Sequence, residues 1–211
     1  MKPIDKLLDC QHVKRWSMIA TSANSNVASH SFNVAMIAMA IRKKMFNTAH
    51  YTEQDVCYYA LIHDVDEAET GDMPTPTKMA IRARGVEPNA LFETQCMAPK
   101  PIEIIQKIIK MADLIDNYCF ICEHGVGARA RLAESEVQGR LDAALDGAPT
   151  DLQAAARWVL SYILERKSDT DEEERIRIEE DRERRRNSDS LVGIIASRIL
   201  DRKPLNSGGV P

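Results

Sequence analysis

The stretch "PIEIIQKIIKMADLIDNYCFICEHG" (residues 101–125) decides the fold. Ile104, Ile105, Ile108, Ile109, Ala112 and Ile115 recur at three-to-four spacing, the period of a helix with one apolar stripe, and Gly125 stands where a C-cap is expected. Asp113 falls on or near that stripe. A carboxylate there is costly unless something positive accompanies it.

Working outward, the same period recurs and convincing two-residue alternation does not, so the chain is expected to be all-α. "SHSFNVAMIAMAIRKKM" (29–45) is apolar nearly all round from Phe32 to Ile41, which predicts a central helix buried on most sides. "TEQDVCYYALIHD" (52–64) opens with Thr52 and Asp55 in capping-box spacing and closes on His63 and Asp64. Short helices are expected around 77–84 and 89–97, a longer one over 129–145, and a last one capped by Asp151. A compact helical bundle therefore spans residues 1–167. Residues 168–211 read as a charged linker and tail, with "DSLVGIIASRIL" (189–200) as an amphipathic segment able to dock on this or a neighbouring subunit.

At 211 residues the chain can bury a core without metal or disulfide staples. Its net charge of −4, from 28 basic and 32 acidic residues with no basic stripe, argues against duplex nucleic acid as a partner. No apolar run is long enough to span a bilayer, and a cytoplasmic protein is expected. The cysteines at 10, 57, 96, 119 and 122 are scattered, and the Cys119–Cys122 pair lacks a second pair for zinc, so buried thiols are expected.

"LIHDVDEAETGDMPTPTK" (61–78) raises the functional question. His63 and Asp64 end an apolar run, and Asp66, Glu67, Glu69 and Asp72 follow closely. Imidazole and carboxylate together suit borderline cations such as zinc, cobalt, manganese or iron. Two ligands seldom suffice. His30 and Asp113 extend the set to two histidines and two aspartates from three helices. Each has an ordinary reading, His30 as a capping or core histidine and Asp113 as a partner of Lys110 or Arg131. Together they favour a bound divalent ion, because several carboxylates are costly to bury without a cation.

The order Arg15-Trp16, "SHS" around His30, His63-Asp64 with Glu67 one helical turn on, "GDMPTPTK" (71–78) and "KMAD" (110–113) resembles the HD-domain metal-dependent phosphohydrolases. Within them it is most similar to the branch of the YfbR-like bacterial 5′-deoxynucleotidases and phage dATP triphosphohydrolases, over residues 12–125. The resemblance implies that His30, His63, Asp64 and Asp113 hold zinc, cobalt, manganese or magnesium. It makes Glu67 the catalytic acid/base. Arg15 as a planar fork and Lys78 as a point charge would bind substrate phosphate, joined by Lys110 one turn before Asp113. It also sets Trp16 against the sugar, where a 2′-hydroxyl would lack a partner, and Asp72 where it accepts from the 3′-hydroxyl. Met18 would line the base pocket.

The implied substrate is a 2′-deoxynucleotide, with purine and specifically adenine favoured. It would be attacked at the 5′ α-phosphorus by a dNTP triphosphohydrolase or a dNMP 5′-nucleotidase that self-associates into a homo-oligomer. Arg82 and Arg84 are candidate cations for a longer phosphate chain. Ser29 stands where the deoxynucleotidase branch often has glutamate, which agrees slightly better with the phage-type enzymes. The competing readings are a non-catalytic HD-type nucleotide-binding or regulatory module, and an HD phosphodiesterase of another nucleotide.

Overall fold

The computed structural model describes residues 3–46, 51–86 and 100–166. Its helices are α1 (Pro3–Asp9), α2 (Val27–Lys44), α3 (Glu53–Ile62), α4 (Glu67–Thr70), α5 (Thr75–Arg82), α6 (Glu103–His124) and α7 (Gly127–Asp146), followed by α8 over 150–166. Among the described residues there is no strand, only two isolated bridges, and the all-α expectation holds. No helix among them is long and apolar enough to cross a membrane. Met1–Tyr162 form one compact unit. Of the second, Ile163–Pro211, only the end of α8 is described. The segments expected at 89–97, 168–211 and 189–200, and Cys96, lie outside the described residues.

α6 is the spine. Its stripe of Ile105, Ile108, Ile109, Ala112 and Ile115 is buried, and the helix packs on α2, α3 and α7. α2 lies against α3 and α6 through Val34, Ala35, Ala38 and Ile41. It is less enclosed than its composition suggests, since Phe32 and Met36 are 60% and 50% exposed. They sit one turn apart, on a strip that the buried residues leave facing outward.

Local chemistry sets the helix starts. Asn26 caps α2 in a reciprocal capping box with Ser29, and Thr52 does the same for α3 with Asp55. Ser29 thus has a structural task immediately before His30. α3 ends at Ile62, so His63 and Asp64 begin a turn (63–66) instead of closing the helix. Val65 anchors that turn in a cluster with Cys10 and Val27. α8 starts one residue ahead of Asp151, whose Oδ1 accepts from the Leu152 amide.

The segment 13–26 straps the start of α2 to the C-terminal end of α6. The Arg15 amide donates to Ser25 O, Val27 to Val13 O, Ser22 to His124 O, and Val126 to Ala20 O. Arg15 and Trp16 are thereby held between the start of α2 and the end of α6. α1 is tied to α4 by buried Lys6, whose Nζ is 2.7 Å from Glu69.

Gly125 ends α6 by close packing instead of the left-handed backbone expected of a C-cap. Its φ is −69°, and a Cβ there would lie 2.5 Å from Ile121 O and 2.9 Å from Ala130 Cβ. Gly125→Ala is therefore expected to destabilise the protein by about 1–3 kcal/mol through overpacking, read from its urea unfolding midpoint. An unchanged midpoint would show that the α6–α7 corner relaxes freely.

Candidate metal centre

Three elements converge on one point. His30 comes from the first turn of α2, His63 and Asp64 from the turn after α3, and Asp113 from the middle of α6. Ligand atoms of His30, His63 and Asp113 lie within 4.8 Å of one another. Asp64 Oδ2 joins them, 3.5 Å from His30 Nε2 and 3.2 Å from His63 Nε2, while Asp113 Oδ1 is 3.4 Å from His30 Nε2.

The hydrogen bonds engage both imidazoles through Nδ1 and turn Nε2 toward the cluster. His63 Nδ1 donates to Ala60 O at 2.7 Å; a carbonyl can only accept, so the proton sits on Nδ1 and Nε2 is left bare in the neutral ring. His30 Nδ1 lies 2.7 Å from Asp116 Oδ2, which fixes its tautomer in the same way. Both Nε2 atoms are buried and make no hydrogen bond. Two buried nitrogens without a hydrogen-bond partner, facing two carboxylates, fit a divalent cation once the rings are neutral.

The electrostatics agree. Burial lowers the pKa of His30, yet the carboxylates of Asp113, Asp116 and Asp64 outweigh it and push the pKa up to about 10. His63 is raised in spite of burial, chiefly by Asp64. Asp64 and Asp113 are held below the usual carboxylate range; burial opposes this, but the neighbouring imidazoles and, for Asp113, Lys110 outweigh it. The cluster attracts positive charge, and in the metal-free protein a proton on His30 supplies it.

Around this centre the other expected residues take definite places. Glu67, at the start of α4, is buried; its Oε1 accepts from Lys78 Nζ at 3.0 Å and its Oε2 has no partner. Burial, with Asp64 nearby, pushes its pKa up to about 7 against the pull of Lys78. Arg15 is buried with Nη1 3.4 Å from Asp64 Oδ2. Lys110 Nζ donates to Asp113 Oδ2 at 2.7 Å from a half-exposed position, so the ordinary partner foreseen for Asp113 is also present.

Trp16 has φ 59°, a left-handed conformation that costs a non-glycine residue about 1–2 kcal/mol. Its amide donates to Asp72 Oδ2 at 3.2 Å, and its indole stacks on Phe120 with centroids 5.9 Å apart and planes at 15°. Met18, two residues on, is 49% exposed. Arg84 Nη1 donates to Ala80 O, back onto the helix that it follows.

Three residues here were missed in the sequence: Asp116, Asn117 and Phe120. All follow Asp113 on α6 at spacings of three, four and seven, the signal that would have found them. The thiols are only partly as expected. Cys10 and Cys119 are buried, with Cys10 pushed up to about 11 by burial, whereas Cys57 is half-buried and Cys122 exposed.

Comparison with known proteins points the same way. The profile of the 5′-deoxynucleotidase YfbR-like family matches residues 4–83. The dATP triphosphohydrolase of Salmonella phage PMBT28 is 34% identical over 139 residues, covering 60% of this chain and 69% of that protein. The 5′-deoxynucleotidase YfbR of Escherichia coli is 29% identical over 116 residues, 51% of this chain and 55% of that one. The HD phosphohydrolase DatZ of cyanophage S-2L, solved with dA and one catalytic Zn2+ ion, shares the fold with a TM-score of 0.62. It is 23% identical, and the match covers 79% of this chain and 98% of that chain.

A divalent ion can bind His30 Nε2 only after the proton leaves. Because that proton is held up to about pH 10, ion binding is expected to release it, and affinity should rise between pH 6.5 and 9 by up to about tenfold per unit. Calorimetric titration of metal-free protein with zinc, in buffers of different ionisation heat, counts the protons. A pH-independent affinity with no proton release would contradict the assignment.

Proposed function

We propose that this chain, which belongs to the YfbR-like family of HD-domain phosphohydrolases, is a metal-dependent hydrolase of 2′-deoxynucleotides acting at the 5′ α-phosphorus. The observation that carries the reading is the convergence of two buried imidazole nitrogens without hydrogen-bond partners and two carboxylates beside a buried Glu67 that keeps one oxygen unpartnered. His30, His63, Asp64 and Asp113 would hold the ion. Bound there, a divalent ion supplies Lewis acidity, neutralising phosphate charge and acidifying a water.

The remaining work falls to the chain. Glu67 is oriented through Oε1 by Lys78, leaving Oε2 to take the proton of the attacking water or to return one to the leaving oxygen. Burial favours its protonated form, and Lys78 opposes this, so the carboxyl is placed between the two states that acid/base work needs. Arg15 and Lys110 each pair with a proposed ligand, Asp64 and Asp113, and Lys78 pairs with Glu67; phosphoryl transfer needs cations for charge spread over non-bridging oxygens. The indole of Trp16 is backed by Phe120 on one face, and we assign the other to the sugar, where an added hydroxyl would find no partner. Asp72 is steadied by the Trp16 amide through Oδ2, and its Oδ1 is the atom offered to a 3′-hydroxyl.

Adenine is the favoured base, by likeness to relatives that carry dATP in their names. The same water, acid/base and cations serve a monophosphate or a triphosphate. Self-association is part of this reading, supported by Ile4 and Leu8, exposed one turn apart on α1. So is a cytoplasmic setting, where deoxynucleotide pools are met.

Product analysis with cobalt or manganese and, separately, dAMP, dATP and ATP tests it. Deoxyadenosine plus orthophosphate from dAMP identifies the monophosphate activity, and deoxyadenosine plus triphosphate from dATP identifies the other. No turnover of any of them by metal-loaded protein would reject catalysis in favour of a binding module. Glu67→Gln is expected to keep ion affinity while losing roughly 10²–10⁴ in kcat, and Asp113→Ala to lose the ion. Trp16→Ala should raise activity on ATP relative to dATP; an unchanged ratio would remove the indole from sugar selection.

A further inference from the structure

We infer that Asn117 is a positioning residue that fastens the phosphate-binding cation to the metal centre, holding Arg15 through its amide oxygen and Asp113 through its amide nitrogen. The inference rests on the reading of Arg15 as a phosphate group given above. Arg15 reaches the site on the 13–26 strap, far from α6 in sequence, and its two contacts there are unequal. Nη1 lies 3.4 Å from Asp64 Oδ2, a loose approach, whereas Nη2 donates to Asn117 Oδ1 at 2.7 Å. The short bond, and not the ion pair, sets the orientation of the fork.

The other end of the same amide is also engaged. Asn117 Nδ2 donates to Asp113 Oδ1 at 2.6 Å, and this is the oxygen 3.4 Å from His30 Nε2. Asp113 Oδ2 already accepts from Lys110, so the two bonds together fix the carboxylate plane. Chemistry allows only one orientation of Asn117. A guanidinium cannot accept and an ionised carboxylate cannot donate, so the oxygen must face Arg15 and the nitrogen Asp113. No apolar or hydroxyl side chain of that reach supplies both an acceptor and a donor at opposite ends. Standing four residues after Asp113 on a rigid helix, Asn117 makes the cation and the ligand one unit, so a phosphate drawn to Arg15 arrives in register with the ion.

Two readouts test this without turnover: cobalt affinity of metal-free protein against a competing chelator, and orthophosphate affinity of the cobalt-loaded protein. Asn117→Leu, close to isosteric, is expected to weaken cobalt about 10-fold or more and orthophosphate about tenfold. If Asn117 acts on phosphate through Arg15, adding Asn117→Leu to Arg15→Met should change orthophosphate affinity by less than about twofold. Fully additive losses in the double variant, or unchanged affinities in the single one, would overturn the proposal. Should leucine distort α6, Asn117→Ala gives the same comparison with no bulk to misplace. The cobalt arm uses no nucleotide, so a wrong substrate assignment would leave a tenfold loss of ion affinity standing in support.

Discussion

Three carboxylates on one buried imidazole are the constraint from which the rest of the site follows. Asp64, Asp113 and Asp116 all lie within 3.5 Å of a ring nitrogen of His30, which is 1% exposed. At an effective dielectric of about 20, two like charges 4 Å apart cost about 4 kcal/mol, so such a group persists only with positive charge in its midst. Arg15 and Lys110 give some of it from the rim. A proton on His30 gives the rest in the metal-free protein, and a divalent ion would replace that proton with more charge in the same place. Asp116 is the member that points elsewhere, to Nδ1, and so settles which nitrogen the ion would meet.

The fold serves this arrangement by bringing short pieces of chain to a fixed helix. α6 contributes Asp113, Asp116, Asn117 and Phe120 from successive turns, and the adjoining stripe of isoleucines locks it into the core. The turn 63–66 is pinned by Val65, and the 13–26 strap by backbone bonds to α2 and to the end of α6. Backbone strain at Trp16 is consistent with that purpose, since it is held at both ends, by Asp72 on the amide and by Phe120 on the ring. Glu67 is steadied on α4, itself tied to α1 through Lys6 and Glu69.

Much of this was legible in the sequence because it is written in periodicity and in residue type. The isoleucine repeat announced α6, the Thr52–Asp55 spacing announced the α3 cap, and His30, His63, Asp64 and Asp113 could be nominated by chemistry before any family likeness. What escaped were residues that work on other residues. Asn117 and Asp116 look like an ordinary polar face, because a side chain's partner on a distant segment leaves no trace in local spacing. Phe32 and Met36 read as core from hydrophobicity alone, and the sequence does not say which side of α2 the neighbouring helices cover. Gly125 caps α6 as its position announced, but the sequence did not show that the demand on it is steric and comes from Ile121 and Ala130.

The central claim is that the buried charge of this cluster is balanced by a divalent ion among His30, His63, Asp64 and Asp113. Anomalous diffraction from crystals soaked in cobalt tests it most directly, because it locates the ion without reference to substrate or rate. One strong peak is expected within bonding distance of both Nε2 atoms and of carboxylate oxygens from Asp64 and Asp113. A cluster that stays free of cobalt while the ion binds elsewhere, or not at all, would contradict it.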